Sequence, residues 1–197
     1  MKNDAHMPEQ SLPTAAAIRE AIRQEKYKML YRRVLRSTLY ALVIVAAVAV
    51  LIATLVLPVI QITGTSMAPT LTEGDVIVLV KTDRLRRGDL CAFSYANKTL
   101  IKRVIGTPGD VIDIDADGNV SVNGERIDEP YLTAKALGDC DIELPYQVPE
   151  SRFFLMGDQR ETSIDSRNSV IGCVTQEQMI GKILFRVWPI RRISRVR

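Results

Sequence analysis

One serine and one lysine carry most of the chemistry this sequence can offer. Ser66 sits in Gly64-Thr65-Ser66-Met67-Ala68-Pro69-Thr70-Leu71, between a glycine and a proline that both favour a tight turn. A serine hydroxyl is a weak nucleophile until a neighbouring base takes its proton. The commonest such base is missing here, because the single histidine is His6, close to the N-terminus. That leaves Lys, Asp and Glu. Lys102 stands out by context, inside the apolar run Leu100-Ile101-Lys102-Arg103-Val104-Ile105. Adjacent side chains on a strand point to opposite faces. If Arg103 faces solvent, Lys102 points inward. Burial then disfavours the ammonium and leaves a neutral amine that can accept the serine proton near neutral pH. In the alternative arrangement Lys102 faces out and Arg103 is a structural ion-pair partner. Periodicity alone does not choose between them.

The elements that must hold these residues are of two kinds. Residues 39–57 read LYALVIVAAVAVLIATLVL, nineteen positions without a charge. As a helix this run spans about 28 Å, one hydrocarbon core. It is longer than the apolar core of a cleavable leader, and its own leader is too long for one. The expectation is a retained single-pass anchor over 38–58, closed by Pro58. Residues 1–37 are expected to be a basic helical segment from about Thr14. They hold eight basic residues against four acidic ones. A basic cluster ending at Arg36 places this end in the cytoplasm and the rest of the chain outside. The plainer alternative is a solvated helical tail.

Beyond the anchor the pattern turns to short β-rich runs. Strands are expected at Val76–Val80, Leu90–Tyr95, Leu100–Ile105, Val111–Ile114, Val120–Val122, Arg152–Met156 and Gly181–Trp188. Asp117-Gly118 and Asn123-Gly124 are hairpin signals. Gln176 to Met179 reads as one helical turn. Residues 59–197 are therefore expected to form one extracytoplasmic, mainly β domain, a sandwich or barrel, with a small accessory β-lobe over about 111–150. The net charge of +3 argues against a nucleic-acid partner. Cys91, Cys140 and Cys173 fit neither a zinc pattern nor a paired disulfide framework. No metal, cofactor or obligate protein partner is expected.

These parts, in this order, resemble the bacterial type I signal peptidases, membrane-bound serine proteases that remove signal peptides. The resemblance runs from about 38 to 189. It rests on the anchor, on GTSMAPTL with Ser66, on Gly74-Asp75-Val76-Ile77-Val78, on IKRVIGTPGD with Lys102, and on MGDQRETSIDSR at 156–167. It implies Ser66 as nucleophile and Lys102 as general base. Archaeal and endoplasmic-reticulum relatives carry histidine in place of that lysine. Ser163 matches the serine that orients the lysine; read alone it is an ordinary turn serine. Asp158, Asp165 and Arg167 match a group that braces the active-site wall, expected as a partly buried ion-pair network. Met67 matches the methionine beside the nucleophile. The Ser66 backbone N–H matches an oxyanion donor. Some family members add a Ser or Thr hydroxyl two positions earlier. Here Gly64 occupies that position, as in the Gram-positive-like branch. Gln159 and Thr162 stand where the family often has Asn.

The resemblance also implies the partners, which are signal-peptide-bearing preproteins and the lipid bilayer. Cleavage would follow small-residue sites of the Ala-X-Ala type, with the substrate bound as an added β-strand. Ser66 follows Leu57 by nine residues, a reach of about 30 Å when fully extended. Ile62, Ile101 and Val104 are candidates for the pocket walls by nearness to the pair. Two rivals compete. A self-cleaving repressor of the LexA type shares the Ser/Lys pair but needs a DNA-binding half and no membrane span. A non-enzymatic anchored β-domain would tolerate Ser66→Ala. A sortase is disfavoured because it needs a histidine near its cysteine.

Overall fold

The computed structural model describes residues 15–82 and 84–196. The expected cap at Thr14, and His6, lie outside the described residues. The chain divides into two compact units, at 1–53 and 54–197.

The first unit is built on one helix. Helix α1 runs over Ala15–Val56, 42 residues, or about 63 Å at 1.5 Å per residue. The basic segment and the apolar run are thus one continuous helix. Neither Gly nor Pro interrupts the chain between Ala15 and Leu57, and Pro58 forces an end because it disfavours helical backbone in the residue before it. Within Ile22–Leu51 the helix is long and apolar enough to cross a membrane, with a mean hydropathy of 2.3. Its large apolar side chains, Leu39, Leu42, Val43 and Ile44 among them, are exposed. Nineteen uncharged residues on a bare helix suit lipid better than water.

The second unit is mainly β. Its larger sheet contains β1 (Val59–Gln61), β2 (Val76–Val80), β3 (Leu90–Tyr95), β4 (Lys98–Gly106), β9 (Arg152–Met156), β10 (Val174–Thr175), β11 (Met179–Trp188) and β12 (Ser194–Arg195). The strand order is β1-β2-β11-β3-β4-β9-β10, with β12 on β11. A second sheet has the order β7-β6-β5-β8, from β5 (Val111–Ile114), β6 (Val120–Val122), β7 (Glu125–Arg126) and β8 (Tyr146–Gln147). All pairings are antiparallel. The expected strands are present within a residue or two. The pieces not anticipated, β1, β7, β8, β10 and β12, are two or three residues long. Segments that short carry almost no alternation to read; β6, equally short, was anticipated through the Asp117-Gly118 turn signal before it. The single helical turn at Gln176–Gln178 is a 3-10 turn.

The central strands are covered on both sides, and this is what positions the site. Leu90 and Ala92 of β3 pack in one cluster with Ile62, Met67, Leu71, Ile77 and Leu79. Cys91 and Phe93, pointing the other way, pack with Val104, Phe153, Leu155 and Val174. A third cluster joins the sheets through Ile105, Ile112, Val122, Phe154 and Met156. Each fully buried Leu, Ile or Phe stabilises the fold by about 1.5–3 kcal/mol. β4 pairs along Lys98–Arg103 with β3, but only Arg103, Val104 and Gly106 pair with β9. The β9-facing edge of its first half is therefore left open, and β1 is an edge strand of the same sheet. Both features return at the site.

Candidate active site

The loop between β1 and β2 carries Ser66. Gly64 has φ +91, a left-handed conformation open to glycine without strain. Ala68 N–H donates to Thr65 C=O at 2.9 Å and Leu71 N–H to Met67 C=O at 2.9 Å, coiling the segment around the serine. Met67, 3% exposed, pins the coil into the first core cluster. Ser66 itself is half-buried. Its carbonyl accepts the Gln159 N–H at 3.0 Å, which ties the serine loop to the segment after β9.

Lys102 reaches the same place from β4. It is 3% exposed. Ser66, Met67, Lys102, Ile62, Gly64 and Ile101 are among the walls of one cleft of about 70 Å³. Val104, expected as a pocket wall, is not among them. It lies two residues further along β4, inside the cluster with Cys91, Phe93 and Leu155. The lysine amine donates to Ser163 Oγ at 2.7 Å. Burial pulls its pKa from 10.5 down to about 8, assisted by the Arg167 charge and opposed by the carboxylates of Asp165 and Asp158. About a tenth of the amine is then neutral at pH 7, far more than at the ordinary lysine value.

Alternation holds along β4, but neither of its faces opens to solvent at this point. Lys102 and Arg103 do point to opposite faces, yet Arg103 is 1% exposed. It does not face solvent, because β4 has protein on both sides. Arg103 Nε and Nη2 donate to the two oxygens of Asp158 at 2.9 and 2.7 Å, a bidentate pair. The guanidinium also donates to Gly88 C=O at 2.9 Å and stacks 3.8 Å from the centre of the Tyr131 ring. Thr70, four residues after the serine, donates its hydroxyl to Asp158 at 2.5 Å. The Arg103 face of the strand thus braces the serine loop from behind.

The expected support group separates into distinct parts and is fully rather than partly buried. Asp158 serves Arg103. Asp165, 0% exposed, instead pairs with Arg167, also 0% exposed, through bonds of 2.8 Å from Nε and Nη2. Asp165 also accepts the Gly157 N–H at 2.9 Å. Its pKa is lowered: burial pushes it up, but Arg167, Gly157 N–H and the Ser163 hydroxyl outweigh that. Arg167 straps the intervening turn by donating to the carbonyls of Arg160 at 3.0 Å, Ser163 at 3.2 Å and Leu137 at 2.6 Å. A third buried pair, Arg160 with Glu129, was missed from the sequence. Glu129 also accepts from Tyr131 at 2.7 Å. Nothing in its local sequence marks Glu129, which is joined to Arg160 only by tertiary folding.

The most informative residue overlooked is Gly157. A methyl group at its α-carbon would lie 2.2 Å from Ser163 Oγ and 2.7 Å from the Ser66 carbonyl oxygen. Only glycine lets these two segments approach so closely. The signal was available in Met156-Gly157-Asp158, a glycine directly after a strand, which marks close backbone approach as often as a turn.

One contact decides how the lysine presents itself. The Lys102 amine donates to Ser163 Oγ at 2.7 Å, so Ser163 receives it on an oxygen lone pair. A neutral amine held by one of its own N–H bonds keeps its lone pair free for the cleft.

Comparison with known proteins places the chain in a family. The family model described as "Signal peptidase, peptidase S26" matches residues 35–188. The chain belongs to that family, the hydrolases that process signal peptides. The relatives it resembles are named more narrowly. Signal peptidase I of Bacillus licheniformis is 33% identical over 171 residues, covering 79% of this chain and 89% of the relative. Signal peptidase I of Bacillus amyloliquefaciens is 32% identical over 187 residues, covering 89% and 100%. Signal peptidase IB of Staphylococcus aureus is 36% identical over 149 residues, covering 65% and 76%. A crystal structure of a signal peptidase I from Enterococcus faecalis V583 aligns with a TM-score of 0.41 at 27% identity, over 50% of this chain and 96% of that one.

Proposed function

We propose that this protein is a membrane-anchored signal peptidase I that cleaves preproteins after Ala-X-Ala-type sites with a Ser66/Lys102 dyad. The observation that carries it is the buried, pKa-depressed Lys102 amine at 2.7 Å from Ser163 Oγ, in the same cleft as Ser66.

The neutral Lys102 amine takes the Ser66 hydroxyl proton as Oγ attacks the scissile carbonyl carbon. The negative charge that develops on the carbonyl oxygen is met by the Ser66 N–H. The ammonium then gives its proton to the departing amine, the carbon–nitrogen bond breaks, and an acyl-enzyme remains. Water, deprotonated by Lys102, attacks the ester, and Ser66 leaves with the proton restored. Ser163 orients the amine throughout; Asp158, Asp165 and Arg167 hold the walls. Gly64 offers no hydroxyl to the oxyanion, so Ser66 N–H is the one donor assigned.

The small cleft suits short side chains before the bond. The open edges of β1 and of the first half of β4 offer backbone partners to an extended substrate. Helix α1 is assigned as the anchor, with its basic end cytoplasmic and the β unit outside. Signal peptides end close to the bilayer, so a tethered protease meets its bond there.

The test is cleavage of an Ala-X-Ala preprotein by the full-length protein in detergent micelles, with the new N-terminus read by mass spectrometry. The expected product starts directly after the second Ala. The pH profile adds a sign. Only the unprotonated amine is active, so kcat/KM should rise with pH through about 8 and level off above it. A midpoint near 10.5, the ordinary lysine value, would mean that Lys102 is not the base or is not buried.

A further inference from the structure

We propose that Glu129 is a positioning residue of the active site, and that the second sheet serves catalysis by holding it there. This rests on the peptidase reading above. The chain leaves that sheet just before the glutamate. β7 ends at Arg126, and the Ile127 N–H still donates to Val120 C=O of β6 at 3.0 Å. Two residues on, Glu129 is 4% exposed. A carboxylate is costly to bury unless donors surround it. Arg160, 1% exposed, reaches it with both Nη atoms, Nη1 at 3.1 Å, and the Tyr131 hydroxyl donates to it at 2.7 Å.

Each partner of Glu129 leads to one half of the catalytic pair. Arg160 Nε donates to Gly157 C=O at 3.2 Å. Gly157 is the residue against which the Ser66 carbonyl and Ser163 Oγ both crowd, and Ser163 holds the Lys102 amine. Gln159, next to Arg160, gives its N–H to Ser66 C=O at 3.0 Å and accepts the Ser163 N–H at 3.1 Å. In the other direction the Tyr131 ring lies 3.8 Å from the Arg103 guanidinium. Arg103 grips Asp158, and Asp158 accepts the Thr70 hydroxyl of the serine loop. Glu129 thus stands between the Ser163 turn and the brace behind Ser66. An ion pair this deeply buried adds little stability over apolar residues of the same volume, because desolvation offsets the attraction. What it fixes is direction. Two Nη donors on one carboxylate set the plane of the guanidinium, and that plane aims Nε at the Gly157 carbonyl. An apolar pair would fill the space and aim nothing.

The experiment measures kcat, KM and melting temperature for the full-length protein in detergent micelles, on a preprotein with an Ala-X-Ala site. Glu129→Leu/Arg160→Met removes both buried charges together, so neither is stranded, and the variant should melt close to wild type. Its kcat should still fall about 100-fold, the cost of displacing a catalytic group by about an ångström. KM should hold, because neither residue lines the Ser66–Lys102 cleft. Tyr131→Phe keeps the ring on Arg103 and removes only the hydroxyl. Its kcat should fall about tenfold, the loss of one hydrogen bond to a charged group carried into the barrier. A pair that served stability alone would give full turnover in the folded double variant. Near-normal kcat there, a loss confined to KM, or an unchanged kcat in Tyr131→Phe overturns the proposal. If the double variant does not fold, Tyr131→Phe decides by the same criterion. A wild type that cleaves no better than its variants because it does not cleave at all is a different result, and sinks the peptidase reading together with this one.

Discussion

Ser66→Ala and Lys102→Ala should each lower preprotein cleavage by about 10⁴-fold or more, and the double variant should be no worse than either alone. Groups that act as one unit lose their effect together, so the single losses do not add. The proton explains why. Without Oγ there is nothing to attack, and without the amine nothing takes the Oγ proton at neutral pH. Lys102→Arg should not rescue, since a guanidinium stays protonated in proteins. Ser163→Ala should fall between, because it leaves nucleophile and base in place but frees the amine, which donates to Ser163 at 2.7 Å, to rotate. Folding is separable from chemistry here. Lys102 is 3% exposed and its burial disfavours the charged form, so Lys102→Met removes a cost and should keep or raise the melting temperature while abolishing turnover. Turnover above about a tenth of wild type in Ser66→Ala or Lys102→Ala would end the dyad assignment.

What the sequence made legible follows from how local each signal is. The apolar helix and the seven expected strands, three to ten residues long, were readable because composition, alternation and flanking turn signals are local. Ser66 could be singled out as a candidate because it sits in a Gly/Pro turn, and because the lone His6 narrows the possible bases. Lys102 against Arg103 was not readable from periodicity. Alternation gives opposite faces, but only the packed structure shows that both faces of β4 are buried, one by the Ile62–Met67 cluster and one by the Phe93–Val104 cluster. Arg103 then has a carboxylate, Asp158, that comes from 55 residues away. Glu129 and Arg160 lie 31 residues apart and meet for the same reason. Such pairs are set by tertiary register, on which no window of sequence reports. The same limit explains Val104, which is near Lys102 along the chain yet belongs to a different cluster.

The buried pairs also explain how the Ser66 loop is held firmly in place. The serine loop is fixed by Thr70 on Asp158, by the Ser66 carbonyl on Gln159 N–H, and by Met67 in the core. The Ser163 turn is fixed by Arg167 and by Asp165. Ion pairs of this kind are poor net contributors to stability, because desolvation offsets their attraction. Their worth lies in geometry. Breaking one partner leaves a buried charge and lets the Ser66 and Ser163 segments shift together.

Gly157→Ala is the sharpest test of that geometry, because it changes no functional group. Its added methyl would fall 2.2 Å from Ser163 Oγ, 2.7 Å from Ser163 Cβ and 2.7 Å from the Ser66 carbonyl oxygen. None of these is the end of a flexible chain. Ser163 Oγ is held by Lys102, and the Ser66 carbonyl is backbone. Relief therefore requires the two segments to part, by roughly an ångström. A shift of that size in one catalytic group costs about 100-fold. Here the nucleophile loop and the lysine-orienting serine both move, so cleavage should fall by about 10³-fold, or about 4 kcal/mol in barrier. The pH profile separates this from simple unfolding. With Ser163 displaced and the cleft opened to water, burial acts less on Lys102, and the midpoint of kcat/KM should move up from about 8 towards the ordinary lysine value. Gly157→Ser should be no better, since its β-carbon meets the same atoms. Near-normal turnover in Gly157→Ala with an unchanged midpoint would show that the two segments do not need this close approach, and the account of how Ser66 and Lys102 are positioned would have to be abandoned.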